Sequence, residues 1–225
     1  MANRHFISIT LLLSLSFLLQ DAMAQGPAKD SPEVIKNLII SYDINANADT
    51  KKTVLADVYD GGTKTIFIQN NQARVRLVSL MRIESIYFLP GTDTSKFACR
   101  VKESGKDKYK HTIGLSEWNA MNAKYDGDSC ELFTDSLMIL DYKCRKAVIH
   151  LKGDDKQITV YYTDSLKPVS KKIEPAFAGI PGLVLQYSYE FKSGVITYTA
   201  GSISFEKADP KIFVLPAKGF KEWKE

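Results

Sequence analysis

The chain has 225 residues, 44% apolar and 25% charged, a balance that excludes a disordered tail and suits one folded domain with a real core. Its formal charge of +4 is mild and its lysines are spread rather than blocked, so nucleic acid is not expected as a partner. Three cysteines, Cys99, Cys130 and Cys144, allow at most one internal pair; no Cys99–Cys144 disulfide is expected in a chain large enough to fold without one.

The first residues, MANRHFISITLLLSLSFLLQDAMAQG, place Arg4 before an apolar run from Phe6 to Leu19 and then Ala22-Met23-Ala24. That order is the pattern of a secretory signal peptide over residues 1–24, cleaved after Ala24. The run is shorter than the roughly 20 apolar residues a spanning helix needs. No cysteine follows the cleavage point, so lipid attachment there is not indicated. The expected product is exported through the inner membrane and is periplasmic or secreted, soluble, and in contact with membranes only peripherally if at all. Residues 25–32 read as a mobile leader, and 33–225 as a single β-rich domain.

Strand signals then come in series: Lys36–Ile44, Thr53–Asp60, Thr63–Asn70, Ala73–Leu80, Glu84–Leu89, Lys96–Glu103 and Asp107–Ile113. Gly61-Gly62, Asn70-Asn71, Pro90-Gly91 and Ser104-Gly105 separate several of them. One helix interrupts, over Leu115–Tyr125, with Ser116 as the expected N-cap and Trp118, Met121 and Tyr125 as its apolar stripe. Strands resume at Ser136–Leu140, Lys143–Leu151, Gln157–Thr163, Leu183–Phe191 and Val195–Lys207, and the C-terminal tail can add an edge segment. In Lys143–Leu151, alternation predicts Arg145, Ala147, Ile149 and Leu151 on the buried face, with Cys144, Lys146, Val148 and His150 opposite. About ten short antiparallel strands and one helix argue a single large curved sheet or barrel, open or closed.

Chemistry is sparse. His111 and His150 are the only histidines after the leader, and each sits within a strand pattern as a rim or surface residue. No GxSxG, HExxH, CxxC or glycine-rich phosphate loop occurs, so no catalytic residue, metal ligand or cofactor is expected and the chain reads as a non-enzyme. Asp126-Gly127-Asp128 and Gly153-Asp154-Asp155 read as turns rather than calcium loops. Tyr161, Tyr162, Tyr187, Tyr189 and Tyr198 make a dense aromatic set of the kind an apolar ligand meets on a concave sheet.

In GIPGLVLQYSYE, Pro181 fixes its own φ, and Gly182 suits either a positive φ or the close approach of another backbone. Gly179–Tyr187 resembles the signature of the GLPGLI family, secreted proteins of Bacteroidetes-type bacteria, with Ile180 for the usual Leu and Val184 for the usual Ile. Asp141–Leu151 (DYKCRKAVIHL) is similar to the family's preceding Gly-Tyr-x-Cys-x-x-Ala segment, with Asp141 in place of the Gly, and Ile158–Leu166 resembles the strand leading into the motif. The resemblance implies a relative of the periplasmic lipoprotein carrier fold: a half-open barrel whose concave face is plugged by one or a few helices. It implies no catalytic residues. The candidate ligand-binding face is Leu183, Leu185, Tyr187 and Tyr189, with Trp118 from the helix. The functional expectation is binding of a lipid, acyl chain, hydrophobic peptide or lipoprotein. The alternative is an envelope or secretion-associated interaction module with a filled core, using a sheet edge or the Lys-rich Ala217–Glu225. Oligomeric state is not legible.

Overall fold

The structure, a computed structural model, describes residues 33–48, 59–152, 156–168, 172–191 and 194–223. The expected signal peptide and leader, most of the Thr53–Asp60 strand and the Gly153-Asp154-Asp155 turn lie outside them.

Alternation of apolar and polar residues between tight turns produces a mainly β fold. A short β1 (Glu33–Ile35) pairs in parallel with β11 (Leu166–Pro168), apart from the main sheet. Strands β2 (Asn37–Ala48), β3 (Thr63–Gln69), β4 (Gln72–Val78), β5 (Ile83–Phe88), β6 (Ala98–Ser104) and β7 (Asp107–Ile113) form one antiparallel meander. A helix, α1 (Leu115–Asn122), follows. A second antiparallel run holds β8 (Ser129–Ile139), β9 (Tyr142–His150), β10 (Gln157–Thr163), β12 (Leu183–Phe191) and β13 (Gly194–Ser204). Strand β13 returns to pair with β2, and β14 (Lys221–Glu222) adds in parallel beside β7. The result is one curved 12-stranded sheet ordered β14-β7-β6-β5-β4-β3-β2-β13-β12-β10-β9-β8, open because its two end strands do not pair with each other.

Successive side chains on a strand point to opposite faces, and the two faces differ. On the inner face Leu38, Ile40, Tyr42, Ile66 and Ile68 are buried in one core with Trp118 of α1 and with Phe177 and Ile180 of the segment that crosses this face before β12. The outer face carries hydroxyl and amide pairs: Ser41 with Thr65 at 3.3 Å, Gln186 with Thr199 and Ser188 with Thr197 at 2.9 Å. The C-terminal segment covers part of that outer face. Leu215 and Phe220 pack on Tyr87, Cys99 and Val101, and Arg74 donates to the Ile212 carbonyl at 3.1 Å.

Three local expectations are corrected. Gly114, not Ser116, caps α1: it is extended (φ −76°, ψ 162°), and its carbonyl accepts from the Trp118 amide at 2.8 Å. Met121 is 40% exposed, because the helix buries Trp118 alone. In β9, Cys144 and Val148 are buried and Arg145 is exposed, against the expected faces, while Ala147 and Ile149 are buried as expected and Leu151 is half-buried. The register of β8 against β9 shifts between Leu132 and Ser136, and Arg145 lies 3.4 Å from Asp164 at the surface. All three cysteines are free thiols.

Candidate functional site

The GIPG segment sets the boundary of the site. Gly182 does not take a positive φ. It is there because the Thr163 backbone passes where a side chain would stand: a Cβ on Gly182 would lie 1.9 Å from the Thr163 carbonyl oxygen and 2.6 Å from its carbon. That approach lets Ile180 turn inward, where Phe177, Ile180 and Leu183 close over Leu38, Ile40, Ile66 and Ile68 and leave a void of only about 40 Å³. Lys64 fastens the same segment to the sheet. Its ammonium donates to the Glu174 carboxylate and to the Tyr187 hydroxyl (2.8 Å), and stands over the rings of Tyr42, Tyr187 and Tyr198 at 5.7, 5.0 and 5.8 Å. A half-buried ammonium held by one carboxylate and three ring faces is well compensated.

Beside this fastening the inner face is not filled. A chamber of about 320 Å³ remains between the sheet, α1 and the crossing segment. Its sheet wall holds Val75, Leu77 and Ile86 from the first meander and Tyr187, Tyr189 and Tyr198 from the second. Trp118, Asn122 and Tyr125 close one side, and Ile173 to Phe177 another. The tyrosines support one another: Tyr187 and Tyr198 stack at 4.5 Å between centroids, and Tyr187 meets Tyr189 edge-on at 5.7 Å. Trp118 is fixed edge-on against Phe88 at 5.2 Å, and the His111 Nε2 to Glu117 Oε1 contact of 2.6 Å ties α1 to β7. Charged groups gather at one end of the lining. There Arg82 donates to the Tyr59 hydroxyl and lies 3.9 Å from Glu84, which accepts from Arg100 Nε at 2.7 Å. A second space, of about 500 Å³, adjoins across the shared residues Trp118, Asn122, Tyr125 and Pro175.

Burial dominates the electrostatics of the aromatic wall. It pushes the Tyr42 and Tyr187 hydroxyls well above the ordinary tyrosine range, with Glu174 adding to it. Tyr189 is raised in the same way, with Tyr125 the next cause, and Tyr198 is pushed up to about 12 by burial, then Tyr59, against the opposing pull of Arg82. These hydroxyls are neutral donors and acceptors at any physiological pH. Among the described residues no group of three or more His, Cys, Asp or Glu is placed to hold a metal.

Of the residues singled out in the sequence, Tyr187, Tyr189 and Trp118 line the chamber. Leu183 lines the small void under Ile180 instead. Leu185 is fully buried and is not part of either lining; the pairing of β10 with β12 shifts register between Tyr161 and Tyr162, across from it. The described part of the Lys-rich tail is engaged internally, with Trp223 N donating to the Lys110 carbonyl and the Arg100 guanidinium 4.7 Å above the Trp223 ring. Sequence reasoning missed Lys64, Glu84 and Arg100. A usable signal existed: each shares strand parity with apolar residues of the inner face (Lys64 with buried Ile66 and Ile68, Glu84 with half-buried Ile86 and buried Phe88, Arg100 with buried Ala98).

No family model matches this sequence, and no curated protein matches it. Solved structures align with it at low identity. PNGF-II, in two crystal forms, aligns with a TM-score of 0.44 at 15% and 12% identity, over 83% and 84% of this chain. Those alignments cover 30% and 32% of PNGF-II, so this chain spans about a third of that protein. The Mycobacterium tuberculosis lipoprotein LppX aligns with a TM-score of 0.33 at 8% identity, over 74% of this chain and 85% of LppX. The hypothetical protein CT021 from Chlamydia trachomatis aligns at 0.39 and 6%, over 76% of this chain and 89% of its own. Nothing in these comparisons reaches the GLPGLI family.

Proposed function

We propose that this chain is a non-catalytic binding protein, exported in the manner its N-terminal pattern indicates and of GLPGLI type. Its chamber takes up the apolar part of a lipid, an acyl chain or a hydrophobic peptide. The observation that carries this reading is the chamber itself: about 320 Å³ left open on the inner face, walled by aliphatic and aromatic side chains, where a fully packed core would leave nothing. An acyl chain that removes a few hundred Å² from water there gains several kcal/mol at roughly 25 cal/mol per Å². After the cost of association that supports micromolar affinity at best.

Trp118 lies in the wall and is one of only two tryptophans. In a Trp223→Phe background Trp118 is the sole emitting tryptophan, and its emission reports on the chamber and the space adjoining it. Titration with dodecanoate is expected to shift that emission saturably, and an Ala176→Trp variant, which places an indole in the chamber, is expected to abolish binding. A flat titration in the parent background, with the fold intact by circular dichroism, overturns the reading.

A further inference from the structure

The chamber is not uniformly apolar, and its charges do not cancel. Lys64, Arg82 and Arg100 face Glu84 and Glu174, so its lining carries one surplus positive charge. The adjoining space adds Asp126 and Lys172, which balance each other. Lys64 is committed to Glu174, and Glu84 lies between the two arginines, accepting from Arg100 at 2.7 Å. Arg82 is the least satisfied of the three. It reaches Tyr59 through one terminal nitrogen, sits 3.9 Å from Glu84, beyond hydrogen-bond distance, and its Nε is buried with no hydrogen-bond partner. The buried Nε is closed to a ligand, but Nη1 stands beyond hydrogen-bond distance of Glu84, and a carboxylate placed against the terminal nitrogens makes the charge-assisted hydrogen bond that Glu84 does not. Val75, Leu77, Ile86, Tyr189 and Trp118 of the same chamber are apolar or aromatic.

The geometry points to a singly charged anionic amphiphile as the ligand class, its carboxylate held at Arg82 beside Arg100 and its hydrocarbon chain laid along the aliphatic and aromatic wall. This rests on the proposed binding role of the chamber and goes beyond it by assigning the head group, its charge and its orientation. A neutral alcohol of the same chain leaves Arg82 unanswered. A cationic head meets a chamber already one positive charge in surplus.

Three probes with one common chain separate these cases: dodecanoate, dodecanol and dodecyltrimethylammonium, each titrated against Trp118 emission in the Trp223→Phe background. Dodecanoate is expected to bind about tenfold more tightly than dodecanol, and the ammonium probe more weakly than either. Arg82→Gln is expected to erase the advantage of the acid and leave dodecanol unchanged, which also shows that the variant is folded. Glu84→Gln, which adds to the positive surplus without changing shape, is expected to widen the advantage. Equal affinity for acid and alcohol, preference for the ammonium probe, or an acid advantage that survives Arg82→Gln or does not grow in Glu84→Gln overturns the head-group assignment while the chamber still binds. Failure of all three probes removes the binding role itself, and the assignment with it.

Discussion

Gly182→Ala tests the geometry on which the site depends. The added Cβ would stand 1.9 Å from the Thr163 carbonyl oxygen, 2.6 Å from its carbon and 3.0 Å from Asp164 Cα. Such contacts are absent from real structures, and the obstacle is strand backbone, not the end of a side chain that can swing away. Relief therefore demands that β10 or the GIPG turn move by about an ångström in a close-packed interior, which sets the cost at the upper end of the overpacking range, about 3 kcal/mol. In a domain of this size that corresponds to a fall in Tm of roughly 6–12 °C. Gly179, in the same motif, is the internal control: a Cβ there meets only the Cys130 Cβ, at an ordinary 3.7 Å, so Gly179→Ala is expected within about 0.5 kcal/mol of the parent. Urea denaturation of the three proteins, with unchanged m-values, reads the difference directly. Coincident midpoints for Gly182→Ala and Gly179→Ala would refute the close-approach argument.

Lys64→Met leaves the half-buried Glu174 carboxylate without its cation and is expected to cost about 2 kcal/mol, while Lys64→Met combined with Glu174→Leu costs less than the single change; denaturation of both variants checks this. Stability should be flat up to about pH 9 and fall above it. Burial pushes the Cys144 thiol up from 9.0 to about 11, so between those values only the unfolded chain loses that proton, and buried Tyr198, raised to about 12, extends the fall above pH 10; a Tm series across pH 7–12, shallower for Tyr198→Phe, is the measurement. Asp141 holds a φ of +63° in the turn between β8 and β9, so Asp141→Gly is expected to stabilise by about 0.5 kcal/mol, read as a raised denaturation midpoint. N-terminal sequencing of exported material should begin at Gln25; retention of the apolar run would contradict the expected cleavage after Ala24.

Much of the sheet was legible because its signals are local. Alternation in Ala73–Leu80 and Asp107–Ile113, with turns at Asn70-Asn71 and Ser104-Gly105, locates β4 and β7 within a residue or two. Gly182 was legible as a special position, but its cause is non-local: only the fold brings Thr163 against it. The site was half legible. The Tyr187 and Tyr189 pair announced an aromatic wall through strand parity, whereas the charged end required β3, β5 and β6 to be side by side. Helix α1 was read two residues wrong at its cap because a serine side chain is a strong local signal, and the extended Gly114 outcompeted it. The face of β9 was misread because burial falls on both parities, Cys144 and Val148 on one and Ala147 and Ile149 on the other, so the more apolar parity did not single out the buried face.

The seam between β2 and β13 carries a consequence for how the chain assembles. Within each half of the sheet most paired strands are close in the chain and cheap to bring together, whereas the contact that unites the halves pairs Ile39 with Ser204, near opposite ends of the described chain. Two half-sheets can therefore form early and dock late, each with an open edge until the other arrives. The chamber straddles that docking line, drawing Val75, Leu77 and Ile86 from one half and Tyr187, Tyr189 and Tyr198 from the other. Fragments cut between α1 and β8 should reassociate by this route, and a molecule seated in the chamber would act as mortar, lowering the concentration at which the two pieces find each other.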